Sequence, residues 1–150
     1  MSYQIKDSNI SHYFEILNVE RKPGILYVLP EALDENTCLL NAHTIEFSKD
    51  LRESGFTVDV LKSDEYQYYV TKSADIILPL IYGIPFSIFA NFITDWLKAN
   101  YYSGQEKNKI IKLRYSGYDK NGKPKEIELE GVSKNINETL EKMKDVGIFK

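Results

Sequence analysis

The stretch ADIILPLIYGIPFSIFANFITDWLKANYY, Ala74 to Tyr102, is the most apolar in the chain and limits most sharply what the chain can become. It could span a membrane, fill a core, or wait for a partner. A span needs about 20 apolar residues without punctuation. Residues 76–97 are long enough, but Pro79, Gly83 and Pro85 interrupt the first half. From Pro85 onward, Ser87, Asn91, Thr94, Asp95 and Lys98 fall on one helical stripe, while Phe89, Phe92, Ile93 and Trp96 fall on another. Lipid on all sides would not call for a polar stripe. The pattern predicts a core helix that starts at Gly83-Ile84-Pro85, with proline at or near its first turn. The preceding DIILPLI reads as a buried strand or as a short helix broken near Pro79. No transmembrane span is expected, and no interfacial membrane contact.

The flanking segments give the rest of the architecture. Ile10, Tyr13, Phe14 and Leu17 have helical spacing within Ser8–Val19. Lys22-Pro23-Gly24 reads as a turn, and Ile25–Leu29 as a buried strand closed by Pro30. A helix is expected from a cap at Asp34 or Asn36 to Gly55, with Leu40, Thr44, Phe47 and Leu51 on its stripe. Phe56, Val58 and Val60 then share one face of a strand, so residues 25–61 read as a βαβ unit. KIIKLRY and KEIELE flank a turn containing Asn121-Gly122. Ile111, Leu113 and Tyr115 share a face with Ile127 and Leu129. Lys112 and Arg114 oppose Glu126, Glu128 and Glu130 on the other face, which reads as a wet lattice of charges. The last helix carries Ile136, Leu140 and Met143, capped by Ser133 or Asn135 and ended by Gly147.

The fold class expected is α+β: a single domain over 1–150 with a mixed β-sheet. Its parts are a βαβ start, a central amphipathic helix, a β-hairpin and a C-terminal helix, with helices mainly on one face of the sheet.

Composition narrows the function. The net charge of -3 offers no general attraction for nucleic acid or anionic lipid. One cysteine, Cys38, allows no intrachain disulfide and no cysteine zinc site, and the N-terminus lacks a signal-peptide pattern. A reducing, cytoplasmic location is therefore expected. Gly117–Pro124 imitates the start of a phosphate loop, G-x-x-x-x-G-K, but Pro124 stands where that loop needs Ser or Thr, so it reads as a hairpin turn. Cys38 and His43, five apart on the expected helix, would not be neighbours. His12 and His43 could meet only through tertiary folding. The carboxylates of Asp34, Glu35, Asp50, Glu53, Asp59, Asp64, Glu65 and Asp75 form no motif that fixes a pair across a cleft. No catalytic residue, metal ligand or cofactor is assigned. Ser63–Val70, SDEYQYYV, reads either as a partner-facing patch or as a turn into a packed element.

The order of parts is similar to a known family. A Gly-interrupted apolar helix ends in Asp95-Trp96-Leu97-Lys98, a charged gap follows, and KIIKLRY, DKNGKP and KEIELEG complete it. This resembles the small effector-associated constant component of bacterial conflict systems over residues 24–131, with 1–23 and 132–150 as helical additions. The resemblance implies an adaptor for a separately encoded or fused effector. The helix here is aromatic, where that family's is rich in small residues and arginine.

The leading functional expectation is thus a non-catalytic protein-interaction module, with another protein or a second copy as partner and no nucleic acid. Its expected contact residues are Tyr82, Trp96, Tyr101 and Tyr102. Trp96 is expected to be mostly buried against Leu97 and the hairpin, leaving the three tyrosines at the helix ends. The alternatives are a small enzyme or ligand-binding protein built from scattered carboxylates, tyrosines and His43, and a phage-encoded inhibitor.

Overall fold

A computed structural model describes residues 1–69 and 75–150. Val70, the end of the SDEYQYYV patch, and Ala74, the first residue of the apolar stretch, lie outside the described residues. The chain is α+β. Its principal sheet contains β1 (Ser2–Asp7), β10 (Pro124–Gly131), β9 (Ile111–Tyr118), β8 (Ile81–Tyr82), β2 (Leu26–Val28) and β5 (Val58–Val60), in that order, with β7 (Ile76–Ile77) also paired to β9. A smaller sheet is formed by β3 (Ala32–Leu33), β4 (Cys38–Asn41) and β6 (Gln67–Tyr69).

Alternation along the central strands sorts two cores. Leu26, Val28, Ile81, Ile111, Leu113 and Tyr115 join one cluster with residues of α2 (Thr44–Glu53), α3 (Phe86–Asn100) and α4 (Ser133–Val146). Tyr27, Leu29, Leu80 and Tyr82 point the other way, into a cluster with Ile10 and Phe14 of α1 (Ile10–Leu17). Three helices therefore cover one face, and the fourth lies across the sheet from them. Each fully buried Leu, Ile or Phe in these layers contributes about 1.5–3 kcal/mol.

The βαβ reading holds as β2–α2–β5, whose strands pair in parallel. The long helix expected from residue 34 or 36 does not form. Cys38 and Leu40 are buried on a strand, and α2 starts only at Thr44. Asp34 closes an Asx turn instead, accepting from the N–H groups of Asn36 (2.8 Å) and Thr37 (2.7 Å). Cys38 and His43 thus sit on a strand and at a helix cap.

DIILPLI contains two short strands around Pro79, and α3 follows as expected. Gly83 makes the corner between β8 and α3 at φ +109°, and a Cβ there would meet the Ile25 carbonyl oxygen at 2.3 Å. Only glycine tolerates both conditions. Ser87, Asn91, Asp95 and Lys98 are exposed, whereas Phe89 and Ile93 are buried. Among the described residues no helix is long and apolar enough to cross a membrane.

The hairpin pairs Leu113 with Leu129 and Arg114 with Glu128. Its charged face is less wet than expected. Arg114 turns to Glu31 and to the Leu78 carbonyl, and Ser116 is fully buried, bonded to Ser8 (2.6 Å). The N-terminal addition is not wholly helical, because β1 extends the sheet beside β10 although all six of its residues are exposed. The N-cap of α4 is Val132, whereas the Ser133 hydroxyl donates to the Tyr101 carbonyl. Gly147 ends α4 in the left-handed conformation, as its position predicted.

Candidate functional site

The four expected contact residues do not form one surface. Tyr82 is only 8% exposed and belongs to the α1 side of the sheet. Trp96, Tyr101 and Tyr102 lie on the opposite side, packed against the larger core. Tyr102 is fixed there by the side-chain N–H of Asn137 (2.9 Å). What remains available is built around Trp96.

Trp96 is half-buried, and its main support is α2 rather than the hairpin. Its ring meets Phe47 edge to face at 5.2 Å and Tyr101 at 5.5 Å. Its indole N–H donates to Oδ2 of Asp50 at 2.9 Å. This bond joins α2 to α3 and fixes the indole, whose N–H otherwise needs water. Phe92 fills the next turn of α3, edge to face with Phe47 (5.9 Å) and Phe56 (5.8 Å).

Together these groups form an open groove of about 630 Å³ between α2 and α3. Phe56, Ile88, Phe92 and Trp96 supply its apolar surface, and Ile88 is 45% exposed. Asp50, Glu53 and Asp95 also line it, and no lysine or arginine does. Glu53 has a distant partner in Lys49 at 3.9 Å, an exposed pair of little energetic value. Tyr101, in ring contact with Trp96 but outside the groove lining, has its phenol pKa raised, first by burial and then by the carboxylates of Glu106 and Glu46. The groove is therefore aromatic with an acidic lining, and the Lys144 ammonium reaches its edge, donating to Oδ1 of Asn91 at 2.7 Å. It can receive an apolar side chain and, around it, positive charge.

Tyr82 has different company. Its hydroxyl bonds that of Tyr118 at 2.8 Å and accepts from Arg21 at 3.3 Å. The Gly117–Pro124 segment runs from the end of β9 through a turn at 119–123 into β10, and Asp119 accepts from the N–H groups of Asn121 and Lys123, both at 2.9 Å. That leaves those amides unavailable to a phosphate. The Nε2 of His12 lies 3.2 Å from the Leu33 carbonyl, and His43 sits at the start of α2. Among the described residues no group of three His, Cys, Asp or Glu is arranged to hold a metal ion. Tyr66, Tyr68 and Tyr69 of the SDEYQYYV patch are exposed on and beside the small sheet.

Sequence periodicity finds Trp96 and Phe92 but misses Asp50 and Phe56, which come from the preceding helix and its exit. The acidic run on α2, Glu46, Asp50 and Glu53, was the available signal. No family model, curated protein or solved structure matches the chain.

Proposed function

We propose that this protein is a non-catalytic interaction module that docks a basic, apolar-anchored segment of another protein in the α2–α3 groove. One observation carries the reading: an aromatic groove with an exposed Ile88 is lined by three carboxylates and no cation. An apolar anchor would enter beside Trp96 and Ile88. Lysine or arginine around it would meet Asp50, Glu53 and Asp95. Aromatic anchors dominate such contacts, while rim charges steer the encounter and reject like-charged partners. The Trp96–Asp50 bond supports the reading too, because a fixed indole loses little freedom on binding.

A narrower proposal follows from the order of helix, Trp96-Leu97 and hairpin. The module would serve a bacterial defence or signalling assembly in the cytoplasm, with an effector subunit as partner.

The test is a photo-crosslinking residue at position 88, in host cells, with a second at exposed Tyr3 as control. The captured protein is then purified and the complex reconstituted. The proposal expects capture from position 88, and a loss of affinity of at least roughly tenfold for Glu53→Lys combined with Asp95→Lys. Capture only from position 3, or a reconstituted complex indifferent to the charge reversal, would sink it.

A further inference from the structure

The opposite face of the sheet holds a cation with no counter-charge paired to it among the described residues. Arg21 is half-buried, with its guanidinium 4.9 Å from the centre of the Phe14 ring and 5.5 Å from that of Tyr82. Its Nη1 donates to the hydroxyls of Tyr82 (3.3 Å) and Tyr118 (3.2 Å), and its Nη2 donates to Ser11 (2.6 Å). Its partners are thus neutral hydroxyls and ring faces. No ion pair joins it to a carboxylate among the described residues.

The donor inventory gives this arrangement direction. Each phenol has one proton, and both oxygens accept from Arg21. The 2.8 Å bond between the two hydroxyls uses one of those protons. The second phenolic O–H has no protein acceptor in the hydrogen bonds among the described residues. It is also polarised by the guanidinium behind it. Tyr82 and Tyr118 both line a cavity of about 370 Å³, a volume within the usual range for small-molecule sites. Tyr115, Ile84 and Pro85 supply apolar wall, and no Asp or Glu lines the cavity; Lys150 also lines it, its backbone N–H donating to the Tyr118 carbonyl at 2.8 Å.

We propose that this cavity binds a small oxyanion carried on a flat apolar body, an aromatic phosphate monoester or carboxylate. The oxyanion accepts from the free phenolic O–H and is drawn by Arg21 behind the phenols. The aromatic body packs against Tyr115 and Pro85. Arg21 acts as a positioning residue: it orients both phenols and supplies charge without lining the cavity itself. The cavity shares no lining residue with the α2–α3 groove, so the site does not depend on the docking proposal.

Calorimetric titration of the full chain tests this with phenyl phosphate, benzoate, inorganic phosphate and benzamidine, a cation of similar shape. One of the two aromatic anions should bind with a dissociation constant below about 1 mM, and its identity tells phosphate from carboxylate. Inorganic phosphate should bind more weakly than the better aromatic anion, and benzamidine should not bind. Arg21→Gln and Tyr118→Phe should each weaken the aromatic anion roughly tenfold, with far-UV circular dichroism unchanged. Tyr118 is 37% exposed, so its variant keeps the test valid if Arg21→Gln fails to fold. Benzamidine binding as well as the anions, no anion binding, or anion affinity unchanged in Tyr118→Phe would each overturn the proposal.

Discussion

Replacing Asp50 by alanine tests whether the groove is held in shape by the bond between its two helices. The bond is 2.9 Å long, from a neutral indole N–H to a carboxylate, and both side chains are half-buried. A hydrogen bond to a charged group contributes about 1.5–3 kcal/mol, and water competition at a half-buried site favours the lower end, about 1.5 kcal/mol. One term opposes this. Asp50 stands one turn from both Glu46 and Glu53 on α2, and, with Glu53 facing Lys49, removing the like charge returns about 0.3 kcal/mol in all. The net loss is then about 1.2 kcal/mol. With a urea slope of about 2 kcal/mol per molar, the unfolding midpoint should fall by roughly 0.6 M. Trp96 is the only tryptophan, so its fluorescence reports both unfolding and the local change. Asp50→Asn retains a neutral acceptor and should lose less than the alanine variant. A midpoint shift below about 0.2 M for Asp50→Ala, or equal shifts for alanine and asparagine, would refute the role given to this bond.

Other consequences are as direct. Gly83→Ala should destabilise by at least about 2 kcal/mol, because the added methyl meets the Ile25 carbonyl and the backbone is left-handed; a thermal melt within a degree or so of wild type would contradict this. Burial holds the Tyr115 phenol well above its ordinary pKa of 10.0, and its hydroxyl donates to the Ile84 carbonyl at 2.7 Å. Above pH 10.0 the unfolded chain releases this proton while the folded chain keeps it. The stability it confers is therefore complete below that pH and is lost as the pH rises toward the folded-state value. Urea midpoints should decline above pH 10.0 less steeply in Tyr115→Phe than in wild type, and equal slopes would assign the decline to other groups. Asp119→Ala removes the acceptor for two turn amides and should cost about 1 kcal/mol by the same unfolding assay, with no loss marking the turn as self-sufficient.

The parts of the fold that were legible in the sequence carry two independent signals each. In the hairpin, apolar alternation at Ile111, Leu113 and Tyr115 coincides with opposite charges on the facing strands. In α3, a proline start coincides with separate polar and aromatic stripes. Where one signal served two periods, it misled. Leu40, Thr44, Phe47 and Leu51 satisfy a helix, yet Cys38 and Leu40 equally satisfy a strand, and the Asx turn at Asp34 decided for the strand. Strand β1 gave no burial signal because its side chains are all exposed, and pairing with β10 is a tertiary fact. The candidate site was half legible for the same reason. Trp96 stands out alone, but its partner Asp50 lies 46 residues away, and Arg21 and Tyr118 are separated by 97. Nothing in local spacing announces either meeting. Tyr82 was grouped with Trp96 through proximity to one helix, whereas its place on β8 sends it through the sheet to the other side.

Under the docking proposal, the groove around Trp96 selects a basic partner segment. The most direct measurement is Trp96 fluorescence during titration with two amphipathic helical peptides that share one apolar face, one carrying lysine and arginine and the other glutamate at the polar positions. Saturable binding of the basic peptide alone is expected, weakened by salt and by Glu53→Lys with Asp95→Lys. Equal responses to both peptides, or basic-peptide binding that survives the charge reversal, would contradict it.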